Sequence, residues 1–390
     1  MRRLDAPIRG YAWGSRTALA ALQGRPVPSD GPEAELWMGA HPGAPAVLAD
    51  AGPDAGTGLD VAVTADPAGL LGAGIVEEFG PRLPFLLKVL AAAGPLSLQA
   101  HPTTAQAEAG FDAEDAAGVP RDAPHRTYVD RHHKPELLVA VEEFDALCGF
   151  RPPRESADLL AALDVRHLHP VIAELHNPDP AAALRGAVTA LLTMPVPGPL
   201  VAATVKAAAG RPGYELVGEL ATTYAGDAGV VLALLLNRVR LAPGEAVWMP
   251  AGNLHAYLNG VGVEIMAASD NVLRGGLTPK HINVPELLRV LRFEVLSDPV
   301  VRPVDLAPGV CTWPVPVPDF ALFHASLSGN SAELPGTGPR IAICLKGEVT
   351  VDDGTQPLTL HGGQVAFAAA GTKPLTVSGA GDLYMATVSR

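Results

Sequence analysis

At 390 residues the chain is long enough for two or three domains and a sizeable core, so it needs no covalent staple to fold. A formal charge of -13 excludes the broad basic surface that nucleic acid or an anionic membrane demands, and any phosphate must meet a local cluster of cations. Hydrophobic residues make up 48%, yet no uninterrupted apolar run approaches the roughly 20 residues of a membrane span.

The opening MRRLDAPIRGYAWG has two arginines with no apolar stretch behind them, which argues against a secretory signal and for the cytoplasm. Cys148, Cys311 and Cys344 lie too far apart for a zinc ribbon or a CxxC pair, so a reducing compartment and a metal without sulfur ligands are expected. The 41 glycines and 38 prolines predict many turns and short strands.

From Met1 to about Phe150, β-prone runs such as LPFLLKVLAA, LSLQAHP and PELLVAVEEFDALCGF alternate with turn clusters. In a strand, Gln99 and His101 of LSLQAHP point to one face, as half of a metal site or as two polar residues on a wet face. Pro135 disfavours helix at Lys134 and places Glu136 at the entry of an apolar strand. A buried carboxylate needs a partner, and either a divalent cation or a salt bridge to Lys134 or a nearby arginine supplies one.

From Arg154 the apolar spacing turns to three and four residues, in RESADLLAALDVRHLHPVIAELH and DPAAALRGAVTALLTM, predicting a helical insert over 154–230. Strand texture returns over Asn237 to Met266. In PAGNLHAYL, Pro250 and Gly252 form a turn and His255 begins the next strand at a barrel mouth, as a ligand or a structural histidine. Gln99, His101, Glu136 and His255 together would give a nitrogen and oxygen shell with room for water or substrate, as a catalytic zinc requires, although glutamine is an uncommon zinc ligand.

Further on, Arg274 is followed by two glycines that permit close approach, and Lys280 lies six residues beyond; the pair is either a phosphate grip or two cations on a surface loop. No Walker loop or GxGxxG occurs. The segments starting at Leu241 and Leu360 align without a gap at an offset of 119, with Gly244 on Gly363, Gly260 on Gly379 and Gly262 on Gly381. Glycines recurring in register predict the same strand and turn unit twice, hence two β-barrel-like modules. His255 falls on Pro374, which cannot ligate, so chemistry belongs to the first module alone.

The motifs YAWGS at Tyr11, ELWMGAHP at Glu35, PLSLQAHP at Pro95, YVDRHHKPEL at Tyr128, PAGNLHAYL at Pro250 and DNVLRGGLTPKH at Asp270 resemble, in order, those of the type I phosphomannose isomerases, zinc enzymes of the cupin superfamily. The resemblance runs from the start of the chain to about residue 290. His132 stands where the family commonly has Asn, and Ala100 where a larger apolar residue is usual. The resemblance implies a mainly β fold of two cupin-type jelly-roll barrels, with a catalytic unit over 1–153 and 231–300, the helical insert over 154–230 and a metal-free unit over 301–390. It also implies one Zn2+ per chain on Gln99, His101, Glu136 and His255, with Arg274 catalytic, Ser97, Lys88 and Lys280 around the substrate and its phosphate, and Lys134, Tyr257, Glu264 and Asp270 lining the pocket.

The implied reaction interconverts mannose 6-phosphate and fructose 6-phosphate through an enediol, feeding mannose and GDP-mannose metabolism. That chemistry needs a base, a stabiliser of the oxyanion and a phosphate grip. Glu264, Lys134 and a zinc-bound hydroxide are the candidates for the base. The other readings are a non-catalytic sugar-binding cupin and another metal-dependent cupin enzyme. The expected partner is a sugar phosphate, with no nucleic acid or membrane, on a monomer or homodimer.

Overall fold

Alternating apolar runs bounded by glycine and proline turns assemble into two antiparallel sheets in the computed structural model, which describes residues 1–50 and 54–389. The 11-stranded sheet carries Phe85–Ala92, Glu136–Ala140 and His255–Ala267 side by side. Phe85–Ala92 is buried throughout, and its alternate residues serve two cores. Leu87, Val89 and Ala91 join a core shared with the second sheet, whereas Leu90 and Ala92 join the interior of the first unit, the side on which Lys88 also falls. Glu136–Ala140 repeats this, with Leu137 and Val139 in the shared core and Leu138 and Ala140 inside.

The long strand His255–Ala267 is divided between neighbours. Its first residues pair with Phe144–Phe150 and Leu98–Ala100, and Gly260 onward pairs with Phe85–Ala92. A register shift between Tyr257 and Asn259 and a φ of 127° at Gly260 turn the strand, curling the sheet around its polar interior. The nine-stranded sheet is built mainly from Ala321–Leu334, Arg340–Asp352, Val365–Ala368 and Leu375–Thr387. Arg2–Asp5 extends it through Val365–Ala368, and Val47–Leu48 pairs onto Arg2–Asp5. Residues from both sheets, among them Val89, Ile265, Ile343, Val365 and Phe367, pack into the shared core, joined by Trp313.

The 119-residue correspondence is visible in the backbone. Ala246–Met249 matches Val365–Ala368, Gly244 and Gly363 have φ of 87° and 79°, and Gly260 and Gly379 have φ of 127° and 129°. A Cβ on Gly262 or Gly381 would strike a carbonyl of the neighbouring strand, Val139 O or Lys346 O. Gly371, aligned with the positive-φ Gly252, does not share its backbone angle.

Between Pro153 and Leu232 the chain is helical, including Pro153–Ala162, Pro180–Leu192 and Gly198–Ala208; Asp179 caps the second by accepting from the Ala181 amide. The β-and-turn expectation for the first 150 residues omits five helices among the described residues. Four of them, Ala18–Leu22, Leu59–Ala65, Pro67–Leu71 and Ala73–Phe79, are too short to show a period. The fifth, Thr104–Ala116, buries only Ala107, Gly110 and Phe111, and its one local mark is the capping box between Thr103 and Gln106. Among the described residues, no helix is long and apolar enough to cross a membrane.

Gly379 gives a direct check of the turn that the two units share. Gly379→Ala places a Cβ against Glu348 O at a positive φ, and we expect it to cost roughly 1–3 kcal/mol, read as a lower urea midpoint with an unchanged m-value. An unchanged midpoint would show that the conformation does not require glycine.

Candidate active site

Three strand ends bring one carboxylate and two imidazoles together. Glu136 opens its strand with its side chain inside the unit, His101 follows Leu98–Ala100, and His255 opens its strand directly opposite Gln99. One Glu136 oxygen lies 3.4 Å from His101 Nε2 and the other 3.2 Å from His255 Nε2. All three residues are buried, and their ligand atoms fall within 4.8 Å of one another.

Hydrogen bonding fixes which nitrogen is available. His101 Nδ1 donates to Asn271 O at 2.8 Å and His255 Nδ1 to Asn253 O at 3.0 Å, so in the neutral rings both Nε2 lone pairs face the carboxylate. Burial lowers the pKa of His101 and keeps that ring neutral, and its Nε2 has no hydrogen-bond partner. Lone pairs aimed at a buried carboxylate are satisfied by a cation between them. Gln99 Nε2 donates to Ser97 Oγ at 3.2 Å, which leaves Oε1 free as a fourth, oxygen ligand. Two imidazoles, a carboxylate and an amide oxygen fit zinc. Cys148 lies across the sheet from His255, but burial pushes its thiol up to about 12, and it takes no part in this set.

The alternative partner proposed for Glu136 is also present. Lys134 Nζ sits 3.2 Å from Glu136 Oε1. Burial alone would raise the Glu136 pKa, but its charged surroundings, the Lys134 ammonium among them, hold it well below the ordinary carboxylate range.

A cavity of about 490 Å³ opens over Gln99 and is lined by Ser97, Lys88, Lys134, Asp270, Arg274 and Lys280. Arg274 lies directly across the strand pair from Gln99. Among the described residues no carboxylate stands within ion-pair distance of Arg274 or Lys280. Burial lowers the pKa of both, and Arg274 lowers that of Lys280 further. Two uncompensated cations in a cavity are a site for an anion.

Lys88 is engaged differently. Burial alone would lower its pKa, but Glu264 at 2.9 Å and Glu35 at 3.8 Å hold it raised. Glu264 accepts from Tyr257 through its other oxygen at 2.7 Å. Glu264 and Tyr257 therefore lie beneath the cavity, connected to it through Lys88, and do not line it.

Several contributors carry no role in the sequence reading. Glu35 accepts from Trp37 Nε1 at 2.6 Å and sits under Lys88. Gly43 N donates to His41 Nδ1, so His41 Nε2 carries the proton and donates to Asp270 at 3.2 Å. Burial would raise the Asp270 pKa, but His41 holds it lowered. Asn271, fully buried, donates to the Asp130 and His132 carbonyls and accepts from the Val129 amide, locking the segment before Glu136 to the loop that orients His101. ELWMGAHP and YVDRHH contain most of these residues, and the motifs were the only sequence signal for them. His132 turns toward Arg82, away from the ligand set. From the helical region, Tyr224 supplies part of the cavity wall and donates to Pro95 O.

The ligand geometry predicts that His101→Ala loses more metal affinity than the roughly 10–100-fold expected on removing a residue that only hydrogen-bonds to a ligand. Elemental analysis after dialysis against a weak chelator reads this directly, and full retention of metal would exclude His101 as a ligand.

The chain was compared with known proteins. The model of the phosphomannose isomerase type I catalytic domain matches residues 1–153. Mannose-6-phosphate isomerase of Escherichia coli is 41% identical over 98% of this chain and 98% of its own length. A zinc-bound mannose 6-phosphate isomerase structure superposes with a TM-score of 0.91 at 37% identity, covering 100% of this chain and 99% of that one. The Salmonella typhimurium enzyme bound to fructose 6-phosphate and zinc gives 0.90 at 36%, covering 100% of both. The conclusion from the motifs, the site and these full-length similarities is that the chain belongs to the type I phosphomannose isomerase family.

Proposed function

We propose that this protein is a zinc-dependent aldose–ketose isomerase interconverting mannose 6-phosphate and fructose 6-phosphate. The observation that carries this reading is the junction of a His101, Glu136, His255 and Gln99 ligand set with a cavity holding the unpaired cations Arg274 and Lys280. A solved relative holds fructose 6-phosphate and zinc together, in agreement with it.

When bound, zinc supplies a Lewis acid that polarises the sugar oxygen at the reacting carbons. Arg274, opposite Gln99, is placed to stabilise the charge that develops on the enediolate. Lys280 and Ser97 hold the phosphate and so orient the open chain, with Lys88 as a buried charge beside them. Asp270, fixed by His41, accepts a sugar hydroxyl. Of the two side chains considered as base, Lys134 lines the cavity, with its Nζ 3.2 Å from Glu136 Oε1, whereas Glu264 does not line it and both its oxygens accept hydrogen bonds below it. We assign to Lys134 Nζ the transfer of the proton between C1 and C2.

The architecture is proposed as two cupin-type jelly-roll modules, supported by the repeated strands and the shared glycine angles at Gly260 and Gly379. The catalytic module spans 1–153 and 231–300, less residues 2–5 and 47–48, which complete the sheet of the 301–390 module; the insert spans 154–230.

Isomerisation followed by NMR in D2O tests the reaction. Proton transfer through a base predicts solvent deuterium at C2 of mannose 6-phosphate, and turnover with no incorporation under any condition would favour a hydride shift. Lys134→Met should reduce kcat by about 10²–10⁴-fold, the usual contribution of a general base, while Glu264→Gln falls by less than about ten-fold. The reverse ranking would move the base to Glu264.

A further inference from the structure

A second cavity, larger than the one over Gln99, lies elsewhere in the molecule. A space of about 710 Å³ lies between the two β units, on the reverse side of the strand that carries Lys88, where Val89 forms part of its wall. This is the size range of small-molecule sites. Strand register places a polar and aromatic row along it: Cys311 opposite His324, and His324 opposite Tyr384. His324 Nε2 lies 3.4 Å from Asp382, its ring is 4.5 Å from that of Tyr384, and Trp313 stacks on Tyr384 at 6.1 Å and 12°.

Tyr384 makes the row more than a lining. The residue has 5% relative exposure, but its hydroxyl is not sealed from solvent, and among the described residues that hydroxyl makes no hydrogen bond. A phenol whose ring is buried while its hydroxyl opens on the cavity can take a partner from a ligand there. The Trp313 indole N–H, by contrast, is satisfied by Gly244 O at 2.9 Å. Burial keeps Cys311 a thiol and His324 neutral, so the charges around the space are Glu142, Asp382 and Lys346. Two carboxylates against one ammonium disfavour a phosphate.

We propose that this cavity is a second small-molecule site, separate from the catalytic cavity, that takes a flat aromatic ring carrying an amine. The ring lies against Tyr384 and Trp313, a ligand polar hydrogen meets the Tyr384 oxygen, and the ammonium is held by Asp382 and Glu142. None of these residues belongs to the proposed isomerase machinery, and the inference stands apart from that reading.

Tyramine is the probe, titrated by ligand-observed NMR into the full chain with fructose 6-phosphate at saturation. We expect saturable binding that fructose 6-phosphate leaves unchanged and that weakens about ten-fold in Tyr384→Phe and in the exposed-rim variant Glu142→Gln, with isomerase turnover retained in both. The Glu142→Gln change lies at an exposed position, so it reports even if Tyr384→Phe fails to fold. The absence of saturable binding to about 10 mM, displacement by fructose 6-phosphate, or equal affinity in the folded variants would each overturn the proposal.

Discussion

The structure depends on burying one carboxylate. Glu136 is held between His101, His255 and Lys134 at the start of an otherwise apolar strand, where an isolated negative charge would be several kilocalories out of place. Both imidazoles are fixed through Nδ1 by backbone carbonyls, so their remaining nitrogens converge on the carboxylate and form a place for a cation. Asn271 and Asp130 hold the two segments that supply these groups, and the cavity lined by Gln99 and Lys134 opens beside them.

The β-strand period of two makes such a site compatible with a stable core. Phe85–Ala92 sends Leu87 and Val89 into the core shared by the two sheets and turns Lys88 inward, and Glu136–Ala140 divides its residues in the same manner. Polar chemistry on one side of the sheet is thus backed by apolar packing on the other. Lys88 and Glu35 on the cavity wall, with Glu264 and Tyr257 beneath them, form a buried charged layer in which carboxylate and phenol groups pair with one another or with the lysine. The C-terminal sheet contributes the far side of the shared core, and its Pro374 stands where the first unit has His255.

Features set by local rules were legible in the sequence. The two-residue spacing of Gln99 and His101, the proline before Glu136, and the turn before His255 each place a side chain by strand period or turn chemistry; His101, Glu136 and His255 come together, with Gln99 across the strand pair from His255. Glycines at an offset of 119 marked matching turns because their positive φ is a backbone requirement. Contacts between distant segments were not legible. The pairing of His41 with Asp270, of Asn271 with Asp130 and of Glu35 with Lys88 arises only when sheets close, and no period in the chain encodes it. The layering that sets Glu264 and Tyr257 below the cavity is tertiary in the same sense. Four short helices near the N terminus carry too few residues to display a pattern, and Thr104–Ala116 was betrayed only by its cap.

The central claim, that the Glu136 cluster holds one catalytic zinc, is tested most directly by stripping the protein of metal and titrating zinc back while following conversion of mannose 6-phosphate to fructose 6-phosphate. The account predicts no turnover without metal, a linear rise, and a break at one zinc per chain. Turnover that persists at zero metal, or a break at two zincs per chain, would contradict it.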